Sequence, residues 1–147
     1  MMTRTFLTGI CAVAALLGAA CVGGTTDSGA ARAATAAPMS PPAGYEKVSG
    51  LVKLPDFLPG LGTLYVRPAT LPAGPFLAYD RDDRLVSTIY MIPVSDLRAR
   101  KRFEDLAAAG GAVRSVDFYH NPGHPGVETP HYHVVLWHVP KGTAKLE

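Results

Sequence analysis

Proline and glycine set the first limit on this chain. With thirteen prolines and fifteen glycines among 147 residues, a strand or helix has little room to run before it meets a residue that ends it, so the expectation is short elements joined by many turns. Behind an apolar leader, most of the large apolar side chains lie in residues 45–140. A stretch of about a hundred residues suits one small core and excludes two domains or a long cofactor-spanning fold.

The two cysteines narrow the choice further. Cys11 lies in an apolar leader and Cys21 directly behind it, so the segment that folds has no cysteine. A disulfide framework, a thiolate metal site, a redox CxxC pair and a cysteine nucleophile are excluded there. Formal net charge is +2, with Arg4 contributing from the leader. No basic surface for nucleic acid is expected.

Residues 1–20 read as a secretory signal peptide: Arg4, an uncharged apolar stretch from Phe6, and the small residues Gly18, Ala19 and Ala20. The stretch is short of the roughly 20 apolar residues that span a bilayer. Cys21 follows the small residues at once, and this ending resembles that of bacterial lipoproteins, whose first mature residue is a lipidated cysteine. Leu17 stands four places before Cys21, where the usual lipobox has leucine three before. The resemblance implies export to the cell envelope and a membrane partner through a lipid on Cys21; plain secretion and an uncleaved anchor are the alternatives. Residues 21–44 are Ala, Gly, Thr, Ser and Pro with almost nothing to bury, and read as a flexible tether.

From Tyr45 onward the pattern predicts an α+β domain with a mostly antiparallel sheet and one main helix. Thr63 to Arg67 is one short extended piece. Pro75 to Ile92 is the clearest hairpin, two apolar runs flanking the turn Asp80-Arg81-Asp82-Asp83. In its second strand Leu85, Ser87, Ile89 and Met91 are expected on one face, and Val86, Thr88, Tyr90 and Ile92 on the other. Pro93 stops the strand, Ser95 stands as an N-cap, and the helical period of residues 96–109 runs to Gly110 and Gly111. Arg98, Arg100, Lys101 and Arg102 are interleaved with Asp96, Glu104 and Asp105, which reads as a solvated face. Two more strands follow, over residues 113–119 and 131–139, and residues 141–147 are expected as a tail.

The chemistry concentrates near the end. All five histidines fall in HNPGHPGVETPHYHVVLWH, from His120 to His138. On a strand, His131 and His133 point to one face, about 7 Å apart along the chain, whereas His138 differs by an odd count and faces away. His124 and Glu128 lie on the loop that returns the chain to this strand. The expected ligands for zinc, copper or iron are His124, His131 and His133, with His120, Glu128 and Asp117 behind them. The competing reading has histidines that satisfy loop backbone or pack on Tyr119, Tyr132 and Trp137. A serine, histidine, acid triad from Ser115 and Asp117 has no supporting elbow motif. Gly60-Leu61-Gly62 lacks the strand, turn and helix of a phosphate cradle, so no nucleotide is expected.

Asn121, Pro122, Gly123, His124 and Pro125, then Pro130, His131 and Tyr132, resemble a family of small secreted bacterial proteins of uncharacterised function whose ending carries Asn-Pro-x-Gly-His-x-Pro and Pro-His-Phe-Asp-x-His. His133 stands at that pattern's Asp and Val135 at its second His. The resemblance implies an α+β fold with a suspected metal-binding role. Gly126, His131 and His133 are also similar to the first motif of cupins, without the following glutamate or a second motif. Three functions are therefore in view: an anchored metal-binding or sensing module, a small cupin-like metalloenzyme, and a metal-free interaction lipoprotein.

Overall fold

The computed structural model describes residues 40–147. The expected signal peptide, Cys21 and all but the end of the expected tether lie outside these residues. The elements are β1 (Glu46–Lys47), α1 (Val48–Leu51), β2 (Thr63–Val66), β3 (Phe76–Tyr79), β4 (Leu85–Pro93), α2 (Val94–Arg98), β5 (Ser115–Asn121) and β6 (His131–Trp137), with single 3-10 turns at Pro68–Thr70 and Lys141–Thr143. They form a six-stranded sheet of order β1-β2-β3-β4-β6-β5 in which every neighbouring pair is antiparallel. The expected antiparallel sheet is therefore present, and the helices beside it are few and short. Among the described residues, no helix is long and apolar enough to cross a membrane.

The expected hairpin is β3 and β4, and its turn is built on a buried carboxylate. Asp80 Oδ1 accepts from the backbone N–H of Asp82 at 3.0 Å and of Arg84 at 3.1 Å, while Oδ2 accepts from the Arg84 guanidinium at 2.6 Å and from the Lys145 N–H at 3.2 Å. Burial by itself would raise the Asp80 pKa; the Arg84 guanidinium and these N–H donors outweigh it and hold the carboxyl below its ordinary range. Residues 141–147 are no free tail. Leu146 is buried in the core, and its carbonyl accepts from the Gly60 N–H at 2.8 Å.

Two further expectations change. Strand β4 carries an irregularity: Ala78 pairs with Ser87, yet Tyr79 pairs with Leu85. The additional residue, Val86, joins the cluster of Val66, Ile89 and Trp137, and Leu85 joins Leu77 and Tyr79 in a second cluster. A one-residue bulge thus exchanges the faces of Leu85 and Val86, which strict alternation assigns the other way round.

The expected main helix over residues 96–109 is only α2, five residues long, with Pro93 rather than Ser95 at its N-cap position. Arg100 and Asp105 adopt φ of 55° and 53°, left-handed values that end a helix. The sheet supplies the reason. The Tyr90 hydroxyl donates to the Ala107 carbonyl at 2.8 Å, the Ala109 N–H donates to Thr88 Oγ1 at 3.2 Å, and the Gly110 backbone lies against the His138 ring. These groups cannot also serve an intrahelical ladder, so weak helical period loses to tertiary hydrogen bonding. Arg98, Arg100, Lys101 and Arg102 remain exposed.

The principal core lies on one face of the sheet, where Val66, Phe76, Ile89, Met91 and Val135 meet Val48 from α1. If Asp80 anchors the turn and the C-terminal segment together, Asp80→Ala leaves the Arg84 cation and three N–H donors without their acceptor. A loss of about 3 kcal/mol in urea unfolding is expected; a loss under about 0.5 kcal/mol would show that the carboxylate is not the anchor.

Candidate metal centre

Strand β6 alternates buried and half-buried residues along its length. His131 and His133 occupy the buried face, at 1% and 6% exposure. Its neighbours fix what surrounds them: His133 lies between Met91 of β4 and Tyr119 of β5, and His131 between Pro93 and Asn121.

The third histidine arrives by the loop. Asn121 Oδ1 accepts from the Gly123 N–H at 2.9 Å, and His124 and Val127 exchange both backbone hydrogen bonds at 2.9 Å. Gly123 has φ of 128°, and a Cβ there would lie 2.4 Å from the Glu128 carbonyl oxygen. Only glycine fits where the chain doubles back so tightly. The fold-back brings the His124 ring edge-on to the other two, with centroids 5.0 Å from His131 and 5.6 Å from His133.

One potential ligand atom from each of the three histidines lies within 4.8 Å of the others. The Nε2 atoms of His131 and His133 are 2.9 Å apart. Each Nδ1 faces an oxygen: His131 the Thr129 carbonyl at 2.7 Å, His124 the Pro125 carbonyl at 3.1 Å, and His133 the Tyr119 hydroxyl at 3.0 Å. A carbonyl only accepts, so a neutral ring at His131 or His124 carries its proton on Nδ1 and keeps Nε2 as a lone-pair donor. That is the arrangement of metal-bound imidazoles, whose outer nitrogen is oriented by an oxygen acceptor. Tetrahedral zinc at ~2.0–2.1 Å from each nitrogen would hold two of them roughly 3.3 Å apart, so the His131 and His133 rings need to part by only a few tenths of an ångström.

His133 decides the electrostatics. If its Nδ1–H donates to Tyr119, two lone pairs face each other at 2.9 Å and a cation between them relieves the repulsion. If Tyr119 donates instead, His133 Nε2–H can bond His131 Nε2 and the chain closes without an ion. Burial, followed by the neighbouring His131 and His124, pushes the His133 pKa from 6.5 down to about 4. In either tautomer the ring stays neutral in mildly acidic conditions, as a ligand requires.

The other sequence candidates stand apart. His120 is exposed on the opposite face of β5, edge-on to the Tyr132 ring at 5.4 Å. Glu128 is exposed and is outside the ligand cluster. Asp117 accepts from Trp137 Nε1 at 2.9 Å and pairs with Lys141. His138 lies within 2.8 Å of Thr88 Oγ1 across the sheet, and burial lowers its pKa against the opposing pull of the Ala112 carbonyl. Tyr119, Asn121 and the Thr129 and Pro125 carbonyls are orienting groups that no local sequence motif marks. Tyr119 was recoverable in principle, since pairing the two strands sets it opposite His133.

No family model and no curated protein matches the sequence. A crystal structure of a hypothetical protein from Thermus thermophilus does, at 45% identity, over 59% of this chain and 85% of the Thermus chain, with a TM-score of 0.53. The chain belongs to that protein's family. The kinship extends to sequence and fold and brings no activity with it.

The depressed His133 pKa has a consequence for stability. The unfolded imidazole takes up its proton near 6.5 and the folded one near 4, so the stabilisation is complete above 6.5 and is lost as pH falls through that window. In metal-free buffer the urea midpoint should fall between pH 6.5 and 4 more steeply for the parent than for His133→Gln. Parallel profiles would contradict a buried neutral imidazole.

Proposed function

We propose that this protein is an exported, lipid-anchored module that binds or senses a transition metal through His124, His131 and His133. The observation that carries the reading is the shared orientation: three clustered imidazoles whose Nδ1 atoms are each engaged by an oxygen, which at His124 and His131 is a carbonyl and leaves Nε2 free to donate its lone pair. Three neutral nitrogen donors suit zinc, copper or iron, and leave further coordination positions for water or another ligand. The tether and lipid on Cys21 would hold the domain at the membrane surface, where it meets ions of the cell envelope. The supporting features are the leader and Cys21 in the sequence.

A metal-free reading rests on one specific feature, the closed chain in which Tyr119 donates to His133 and His133 to His131. In that case the trio is an interior hydrogen-bond network and the domain acts through its surface.

Metal analysis of protein purified without a polyhistidine tag separates the two. Close to one transition ion per chain is expected, with affinity reduced about 100-fold or more in His131→Ala and His133→Ala and little changed in His138→Ala, by analogy with the loss of ligands or their orienting partners. Less than a tenth of an ion per chain, unchanged on adding zinc, copper or iron, would favour the metal-free network. For the address, Cys21→Ala should move the protein from the membrane fraction to the soluble one or block its processing; equal partitioning of mutant and parent would remove the anchor.

A further inference from the structure

The histidines form one end of a larger feature. A cavity of about 400 Å³ lies on the core face of the sheet, within the range of small-molecule sites. Leu64, Val66, Phe76 and Met91 form part of its lining from the strands, and Val48 and Val52 contribute from α1 and just beyond it. Its polar side chains are gathered together: His124, His133, Tyr119 and Asn121. The register explains the junction, because His133 is directly opposite Met91, so the apolar lining runs straight to an imidazole.

We propose that this cavity binds an amphiphilic monocarboxylate, its hydrocarbon chain against the apolar lining and its carboxylate at the histidine end. The proposal deepens the metal-binding reading and rests on it. Among the described residues no carboxylate belongs to the ligand cluster, which consists of histidines alone. A divalent ion held by these three keeps its whole double charge in a half-enclosed, largely apolar setting, where electrostatic attraction is stronger than in water. An anionic oxygen donor from outside is therefore favoured over a neutral one. Water or hydroxide would meet the charge but leave the apolar lining without a partner. A carboxylate on a hydrocarbon chain satisfies both ends, and the side chains that separate them are those of Met91 and His133.

The geometry also sets the ligand's direction. His131 is buried beside His133 but does not line the cavity; His124 and His133 do, so the cavity approaches the cluster from their side. The two backbone hydrogen bonds between His124 and Val127 place both residues on one tight loop at this end, where His124 joins the histidine cluster and Val127 lines the cavity.

The test is calorimetric titration of the metal-loaded protein, dialysed free of excess ion, with decanoate and with 1-decanol, after metal content has been measured separately. Decanoate is expected to bind at least about tenfold more tightly than decanol, and to lose that advantage in metal-stripped protein. Leu64→Phe, which fills part of the cavity, should weaken both probes while metal content per chain stays unchanged. Equal affinity for the two probes in protein that retains its metal overturns this inference and leaves the metal centre standing. So does undiminished binding in Leu64→Phe. A chain that takes up no metal overturns both.

Discussion

The register of β6 against its two neighbours is the constraint on which the rest depends. Strand β6 enters between β4 and β5 and pairs along seven residues with each. That double pairing fixes a single parity: His131, His133, Val135 and Trp137 face the core, and Tyr132, Val134 and Leu136 face away. A slip of one residue would turn both histidines outward and Val134 and Leu136 inward. Hydrophobic burial of Val135 and Trp137 therefore does what no histidine interaction could do alone, holding two imidazoles side by side in the interior. The site is a by-product of core packing, completed by a loop.

The loop supplies what the sheet cannot. His124 belongs to no strand, and its position depends on the tight fold-back at Gly123, the Asn121 side chain and the paired backbone bonds to Val127. Oxygens on three different local structures, the Thr129 and Pro125 carbonyls and the Tyr119 hydroxyl, then fix the ring orientations. Preorganisation of this kind favours ion binding because the donors need little rearrangement, and it costs little stability because every Nδ1 has a partner. The same packing leaves the apolar cavity next to the imidazoles.

What the sequence revealed follows from the range of the interactions involved. The β3–β4 hairpin was legible because turn chemistry and alternation are local, and the shared face of His131 and His133 because a strand's period is two. The exchange of Leu85 and Val86 was not, since a bulge is set by how β3 and β4 pair across the turn. The helix over residues 96–109 was read from its own period, whereas its fate was decided by Tyr90 and Thr88 on the sheet. Leu146 looked like part of a tail because the Asp80 carboxylate and the Gly60 N–H that secure the segment lie far away in sequence. Glu128 and His120 were near in sequence but pointed elsewhere, and Tyr119 became visible only once β5 was laid beside β6.

Metal binding at this site depends on which imidazole nitrogens carry protons, and long-range proton–nitrogen correlation spectra of the histidine rings test that most directly. In the presence of one equivalent of zinc, His124, His131 and His133 should all show the Nδ1–H tautomer with Nε2 shifted by the metal, while the His120 and His138 signals stay as they were. An Nε2–H tautomer at His133, with all three rings indifferent to added zinc, would contradict the account and leave the cluster as a closed hydrogen-bond network.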